Sequence, residues 1–144
     1  KYYRWRVEYA RQELEDILRQ KAGVADMAEF VDFHPIQRGN SGRLHELGII
    51  YRDGGANLKT LTVKSQYEIR RVLHEKFLFS SAFVWDFERD ADGRINKIAL
   101  RGAGWGHGVG LCQIGALGMS LQGHSYEDII KHYYSGCTLV RAYE

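Results

Sequence analysis

The side chains best suited to ligand chemistry lie in the segment RGAGWGHGVGLCQIGALGMS, residues 101–120. Glycine occupies every second position from 102 to 110, and Trp105 and His107 stand between glycines. Tryptophan offers a flat apolar surface on which a sugar ring can stack, and histidine offers a hydrogen-bonding group that titrates near neutral pH. Gln113 follows, with an amide that donates and accepts hydrogen bonds at once. These residue types predict a groove that binds a glycan.

We expect the glycine run to be a strand. In an extended strand the residues between the glycines would all point to one face, and the glycines would leave the other face bare for a ligand or a backbone. The plainer alternative is that Trp105 lies in the core and His107 bonds to a buried carbonyl. The density of glycine favours the groove, because a core strand gains nothing from so many glycines. The candidate substrate-binding residues are Trp105, Gly106, His107, Gly108 and Gln113.

Other site chemistries fail on spacing. The run does not fit the dinucleotide pattern G-x-G-x-x-G, and no Gly-Lys pair forms a phosphate loop. Neither His45 nor His74 is followed by a second histidine four residues on, as a zinc protease would require. Cys112 and Cys137 form no metal pattern, and we expect two buried thiols, with a disulfide as the less favoured alternative. The sequence therefore predicts no metal site and no cofactor.

Composition is that of an ordinary globular protein. The chain has 144 residues, with 44% hydrophobic residues, 26% charged residues and a formal net charge of +2. The positive charges are scattered along the sequence, so nothing points to a nucleic-acid partner. No apolar run approaches the roughly 20 residues that span a bilayer. The chain opens directly on a strand pattern, KYYRWRVEY, and we expect it to be a fragment of a longer protein.

The elements that would position the site follow from periodicity. Alternating apolar and polar residues predict strands, and helical spacing predicts about four helices. The strand segments are YYRWRVEYA, AEFVDFHPIQR, RLHELGIIYRD, NLKTLTVKS, SSAFVWDFERD, RINKIALRG and TLVRAY. Helices are expected over 11–22, after the capping residue Ser65, over GLCQIGALGMSLQG and after the capping residue Ser125. The predicted fold is α+β, a single domain over 1–144. Its mainly antiparallel sheet has one covered face, and the glycine-rich strand leads into two C-terminal helices.

The C-terminal third resembles a known family. The segment GAGWGHGVGLCQIGALGMSLQGHSYEDIIKHYYSG is similar to the C-terminal block of the stage II sporulation protein D family, also called the SpoIID/LytB domain. That block reads roughly G-x-G-W-G-H-G-V-G-[ML]-[SC]-Q-x-G-A, then G-[YH]-S-Y-x-x-I-[IL]-x-H-Y-Y-x-G. The opening YYRWRVEY also resembles the aromatic strand of the family, whereas the middle strands match only in general pattern. The resemblance implies that this chain is the C-terminal portion of such a domain.

The resemblance also implies a location in the cell envelope, periplasmic or extracellular, and a function on peptidoglycan. Its sporulation member is a lytic transglycosylase that cleaves between N-acetylmuramic acid and N-acetylglucosamine and leaves a 1,6-anhydro product. The family acid that protonates the glycosidic oxygen lies in an upstream E-M-P-like segment that this sequence lacks, as it lacks the family's Cys/His metal positions. No catalytic residue is therefore assigned here, and the chain alone is expected to be inactive. A non-catalytic module that binds peptidoglycan or a cell-wall amidase, and a purely structural half-domain, remain as alternatives.

Overall fold

The computed structural model describes residues 3–143. The chain divides into two compact units, Lys1–His107 and Gly108–Glu144. The elements of the first unit are β1 (Arg4–Ala10), α1 (Arg11–Ala22), β2 (Met27–Arg38), β3 (Leu44–Asp53), β4 (Leu58–Lys64), α2 (Gln66–Val72), β5 (Phe83–Arg89) and β6 (Ile95–Ala103). The second unit contains α3 (Gln113–Leu121) and α4 (Tyr126–Tyr133). The predicted α+β class is confirmed, while the single domain over 1–144 stays a prediction.

The strands of the first unit form two antiparallel sheets rather than the one sheet that we expected. The strand orders are β1-β6-β5 and β2-β3-β4. Aromatic side chains from the two sheets meet in the core, where Phe33 lies 5.4 Å from Trp85 and Phe30 lies 5.8 Å from Phe87, between ring centroids. Each sheet therefore has one covered face, and the burial of these aromatic side chains together with many aliphatic ones stabilises this unit.

Local capping and stop signals work as predicted in the first unit. Helix α1 ends at Gly23, whose φ of 70° lies in the left-handed region that favours glycine. The side chain of Ser65 accepts a hydrogen bond from the backbone N–H of Glu68 and begins α2. The apolar stripes of both helices are buried, so these short helices are held by packing as well as by their caps.

In the second unit, α3 and α4 pack through a glycine. A Cβ added at Gly115 would lie 2.0 Å from the hydroxyl oxygen of Tyr133, so only a hydrogen fits beneath this tyrosine. Helix α4 begins with a full capping box, in which Ser125 and Asp128 each accept from the other's backbone N–H. Helical spacing puts five apolar side chains on one face of α4 and its end, and only Ile129 of them is buried; the five are Tyr126, Ile129, Ile130, Tyr133 and Tyr134.

Two expectations for the second unit are wrong. The segment TLVRAY, residues 138–143, forms no strand and pairs with no strand among the described residues. Cys112 is not a buried thiol: it is exposed and starts α3, where its sulfur accepts a hydrogen bond from the Gly115 N–H. Cys137 is half-buried, and both cysteines are free thiols.

Candidate functional site

The glycine run is not a strand beyond Ala103. Strand β6 ends there, and Gly104, Gly106, Gly108 and Gly110 have φ values of 73°, 82°, 67° and 77°. A left-handed conformation costs an L-residue with a side chain about 1–2 kcal/mol, so alternating left-handed positions explain why glycine recurs at every second residue. The expected strand with one bare face is therefore wrong, because its residues do not alternate between the two faces of a sheet.

Glycine is required at position 102, the first of the run, because the side chain of Trp5 lies against its backbone. Gly102 pairs with Trp5 across β1 and β6, and a Cβ added to it would lie 2.0 Å from Cζ2 of the Trp5 indole. Trp5 is only 8% exposed, and its Nε1–H donates to the carbonyl of Gly104 at 3.1 Å. The space beside Gly102 is therefore filled by the protein's own tryptophan.

Hydrogen bonds fix the segment that follows β6. The N–H of Gly104 donates to the carbonyl of Tyr3 at 3.3 Å, and the N–H of Gly106 donates to the carbonyl of Phe79 at 2.8 Å. The hydroxyl of Ser80 donates to the carbonyl of Ala103 at 2.7 Å. These bonds attach the start of the glycine run to the chain before β1 and to the segment before β5.

Trp105 lies at the surface end of a series of aromatic rings. Its ring centroid is 5.5 Å from that of Phe79, which in turn lies 5.5 Å from Trp5. Trp105 is 57% exposed, and His107 is also exposed. The alternative that places Trp105 in the core is therefore wrong. The tryptophan that is buried beside the glycine run is Trp5. An indole supported on one edge and open to solvent can pack against a ligand.

The predicted site residues are divided between the two units. Trp105, Gly106 and His107 end the first unit, whereas Gly108 and Gln113 belong to the second. Gln113 is exposed and is the first residue of α3, so its amide is accessible. That these five residues together bind a substrate stays a prediction.

Sequence reasoning missed an open groove of about 820 Å³ on the first unit. Trp5, Phe83, Gly102 and Ala103 are among its lining residues, so it adjoins the anchored start of the glycine run. Four arginines line it, and no acidic residue is among the lining residues that the structure describes; the arginines are Arg4, Arg6, Arg38 and Arg101. The signal in the sequence that could have revealed this groove was a pair of arginines, Arg4 and Arg6, two positions apart in the first strand.

Strand pairing brings two of these arginines together, and the third comes from the other sheet. Arg6 on β1 lies directly opposite Arg101 on β6, and Arg38 is the last residue of β2. Arg6 donates from Nε to Glu8 at 2.8 Å, and Nε of Arg101 lies 2.7 Å from Asp86. Four of the positive charges that are scattered along the sequence therefore line one groove.

The neighbouring carboxylates are paired with cations. Hydrogen bonds from Lys97 and then from Arg6 lower the pKa of Glu8 below its ordinary value. Asp86 forms its ion pair with Arg101 through both carboxylate oxygens. Glu8 therefore lacks the raised pKa that a proton donor to a sugar oxygen requires, and the carboxylate of Asp86 is engaged with Arg101.

Arg4 and Arg38 have no acidic partner within residues 3–143. The guanidinium of Arg4 lies over the ring of Tyr3 at 4.2 Å. That of Arg38 donates to the carbonyls of Gly42 and Phe83, and partial burial lowers the pKa of Arg38 below its usual value. Both side chains are exposed, so the groove carries two accessible positive charges that the described residues do not neutralise.

The described residues thus define an α+β protein with an arginine-lined groove and an exposed tryptophan, Trp105, in the glycine run. A family model described as Domain of unknown function (DUF8618) matches residues 1–110, and the chain belongs to this family. Within residues 3–143, no helix is long and apolar enough to cross a bilayer, and no three His, Cys, Asp or Glu side chains are grouped as metal ligands.

The chain is also related to the stage II sporulation protein D family, as the resemblance predicted. It is 37% identical over 94 residues to "Stage II sporulation protein D" of Bacillus amyloliquefaciens, covering 65% of this chain and 26% of that protein. It is 34% identical over 88 residues to the protein of the same name from Bacillus subtilis (strain 168), covering 61% of this chain and 24% of the relative. An "Amidase enhancer" of the same strain is 35% identical over 88 residues, covering 60% and 12%. The chain therefore spans about a quarter or less of the length of these relatives.

Proposed function

We propose that this chain is part of a cell-envelope protein that processes the glycan strands of peptidoglycan. The reaction is that of a lytic transglycosylase, which cleaves between N-acetylmuramic acid and N-acetylglucosamine and leaves a 1,6-anhydro product. The relatives named stage II sporulation protein D support the assignment to this class. The structural observation that carries it is the exposed Trp105, whose ring is braced by that of Phe79 at 5.5 Å between centroids.

In this proposal Trp105 and His107 hold the sugar. The apolar face of a pyranose ring packs on the exposed indole, and the imidazole of His107 hydrogen-bonds to a ring substituent. The backbone at Gly106 lets the glycan strand approach closely because no side chain intervenes.

The acid that protonates the glycosidic oxygen is proposed to come from outside this chain. Such an acid needs a raised pKa so that it is protonated at the working pH. The two carboxylates nearest the groove, Glu8 and Asp86, are paired with cations instead. We therefore expect the chain alone to bind glycan strands without cleaving them.

Binding is tested with glycan strands from which the stem peptides have been removed. Titration calorimetry compares the chain with Trp105→Ala and with Tyr67→Ala, which removes an equally exposed aromatic ring from α2 of the same unit. We expect about tenfold weaker binding for Trp105→Ala, from the loss of one stacked ring, and no change for Tyr67→Ala. Equal affinities for the two variants would refute the role of Trp105.

Cleavage is tested with the full-length protein and the same strands, with anhydro-muramoyl products detected by mass spectrometry. We expect products from the full-length protein, a lower yield from its His107→Ala variant and none from residues 1–144 alone. Turnover by the isolated chain would contradict the assignment of the acid to another segment. Strand binding without products from the full-length protein, together with stimulation of a cell-wall amidase, would favour the function named for the amidase-enhancer relative.

A further inference from the structure

The arginine groove carries more positive charge than its neighbours neutralise. Arg6 and Arg101 stand directly opposite each other on adjacent strands, a position in which like charges repel. Each is compensated by a carboxylate along the same sheet, Glu8 or Asp86. The strand register places these two arginines side by side on neighbouring strands.

The remaining two arginines have no such compensation. Arg4 and Arg38 have no acidic partner among residues 3–143, and both are exposed at the groove. Arg38 is held by carbonyl groups of Gly42 and Phe83, which orient its guanidinium without neutralising it. Hydrogen bonds to neutral carbonyls keep the guanidinium in place before any ligand arrives, so little ordering cost remains when an anion binds.

Apart from Ser41, the rest of the groove wall is formed by apolar residues and glycines. Val84 is exposed, and Phe83 and Gly102 contribute uncharged surface between the arginines. A guanidinium presents a planar set of donors that matches a carboxylate or a phosphate in pairs. An apolar wall beside oriented guanidinium groups suits a ligand with both an oxyanion and a carbon skeleton.

We propose that this groove binds oxyanion groups of a cell-wall polymer, with Arg4 and Arg38 as the contacting residues. The choice of polymer rests on the proposed function. Two kinds of cell-wall polymer carry oxyanion groups. Peptide-free glycan strands carry lactyl carboxylates, and a phosphate-containing wall polymer carries phosphodiesters. The groove would thereby select acidic strands over neutral ones such as chitin fragments.

The test uses three probes on the whole 144-residue chain. They are peptide-free glycan strands, the same strands with their carboxyl groups amidated, and inorganic polyphosphate. The groove variant is Arg4→Gln, which removes an exposed side chain with few contacts in the fold. The matched control is Arg94→Gln, which removes the same charge from the exposed turn between β5 and β6. Arg38→Lys retains the charge without the planar fork, and its thermal unfolding is measured alongside binding.

We expect the wild type to bind free strands about tenfold more tightly than amidated strands, as the loss of one charge-assisted hydrogen bond predicts. Arg4→Gln should abolish that preference, Arg38→Lys should reduce it while unfolding as the wild type does, and Arg94→Gln should keep it. Raising the salt concentration should weaken binding of free strands only, because exposed charges are screened.

Other results separate this proposal from the proposed function. Equal binding of free and amidated strands that still depends on Trp105 would overturn the oxyanion groove and leave the glycan function standing. Arg4-dependent binding of polyphosphate without binding of either strand would support the groove, assign the phosphate source and refute the glycan function. Binding of none of the three probes would overturn both.

Discussion

Replacing Gly102 with alanine tests how the glycine run is anchored. The added Cβ would lie 2.0 Å, 2.3 Å and 2.4 Å from three atoms of the Trp5 indole, distances at which the ring must move. The indole is buried, with Phe79 at 5.5 Å and Phe83 at 6.3 Å between ring centroids. Moving it also breaks the hydrogen bond from Nε1 to the Gly104 carbonyl.

The magnitude follows from two contributions. Overpacking a core position costs about 1–3 kcal/mol, and the lost hydrogen bond costs about 0.5–1.5 kcal/mol. The sum lowers the free energy of unfolding by about 2–4 kcal/mol for Gly102→Ala. For a domain of roughly this size, that corresponds to a fall in Tm of about 10 °C.

The assay is thermal unfolding followed by circular dichroism, with a matched glycine variant. Gly54 has no atom within 4 Å of an added Cβ and has no positive φ, so Gly54→Ala should change the free energy of unfolding by less than about 0.5 kcal/mol. A second variant pair, Trp5→Leu with and without Gly102→Ala, removes the ring that clashes. The cost of Gly102→Ala should be much smaller in the Trp5→Leu background, because neighbouring substitutions do not add. An unchanged Tm for Gly102→Ala alone would refute the close approach between Gly102 and Trp5.

Three further expectations concern caps and titrating groups. Ser125→Ala removes a cap of α4 that bonds with Asp128, and should cost about 1 kcal/mol of helix stability, measured as a lower helix signal on heating. Hydrogen bonds, the strongest from the backbone of Asn57, lower the pKa of Asp53 to about 2. The ionised carboxylate therefore contributes fully to the free energy of unfolding above pH 4, and this contribution is lost as the pH falls towards 2. Asp53→Asn should remove that part of the pH dependence, measured by urea unfolding. Burial lowers the pKa of His74 below its ordinary value of 6.5, so the wild type should lose stability as the pH falls below 6.5, and His74→Gln should show a flatter profile over the same range.

Much of the secondary structure was predictable because its signals are local. A serine followed three residues later by an acid begins a helix at Ser65 and at Ser125, and Gly23 ends one. These signals act through hydrogen bonds between residues three or four positions apart, so neighbours in sequence suffice. The glycine run stands out in the sequence as well, but the strand conformation predicted for it is wrong beyond Ala103. An alternation of glycines suits a bare strand and a series of left-handed turns equally well from the pattern alone.

The site depended on contacts between residues that are far apart in the chain. The hydrogen bond from Trp5 to Gly104 joins residues 99 positions apart, and it decides where the last strand stops and where Trp105 emerges. The groove likewise gathers Arg4, Arg38 and Arg101 from three strands of two sheets. By itself the sequence determined the α+β class, the helix ends and the family relationship, because periodicity, caps and motifs are properties of neighbouring residues. Only the tertiary structure decided which charges share a surface, because strand pairing and register bring distant side chains to one face.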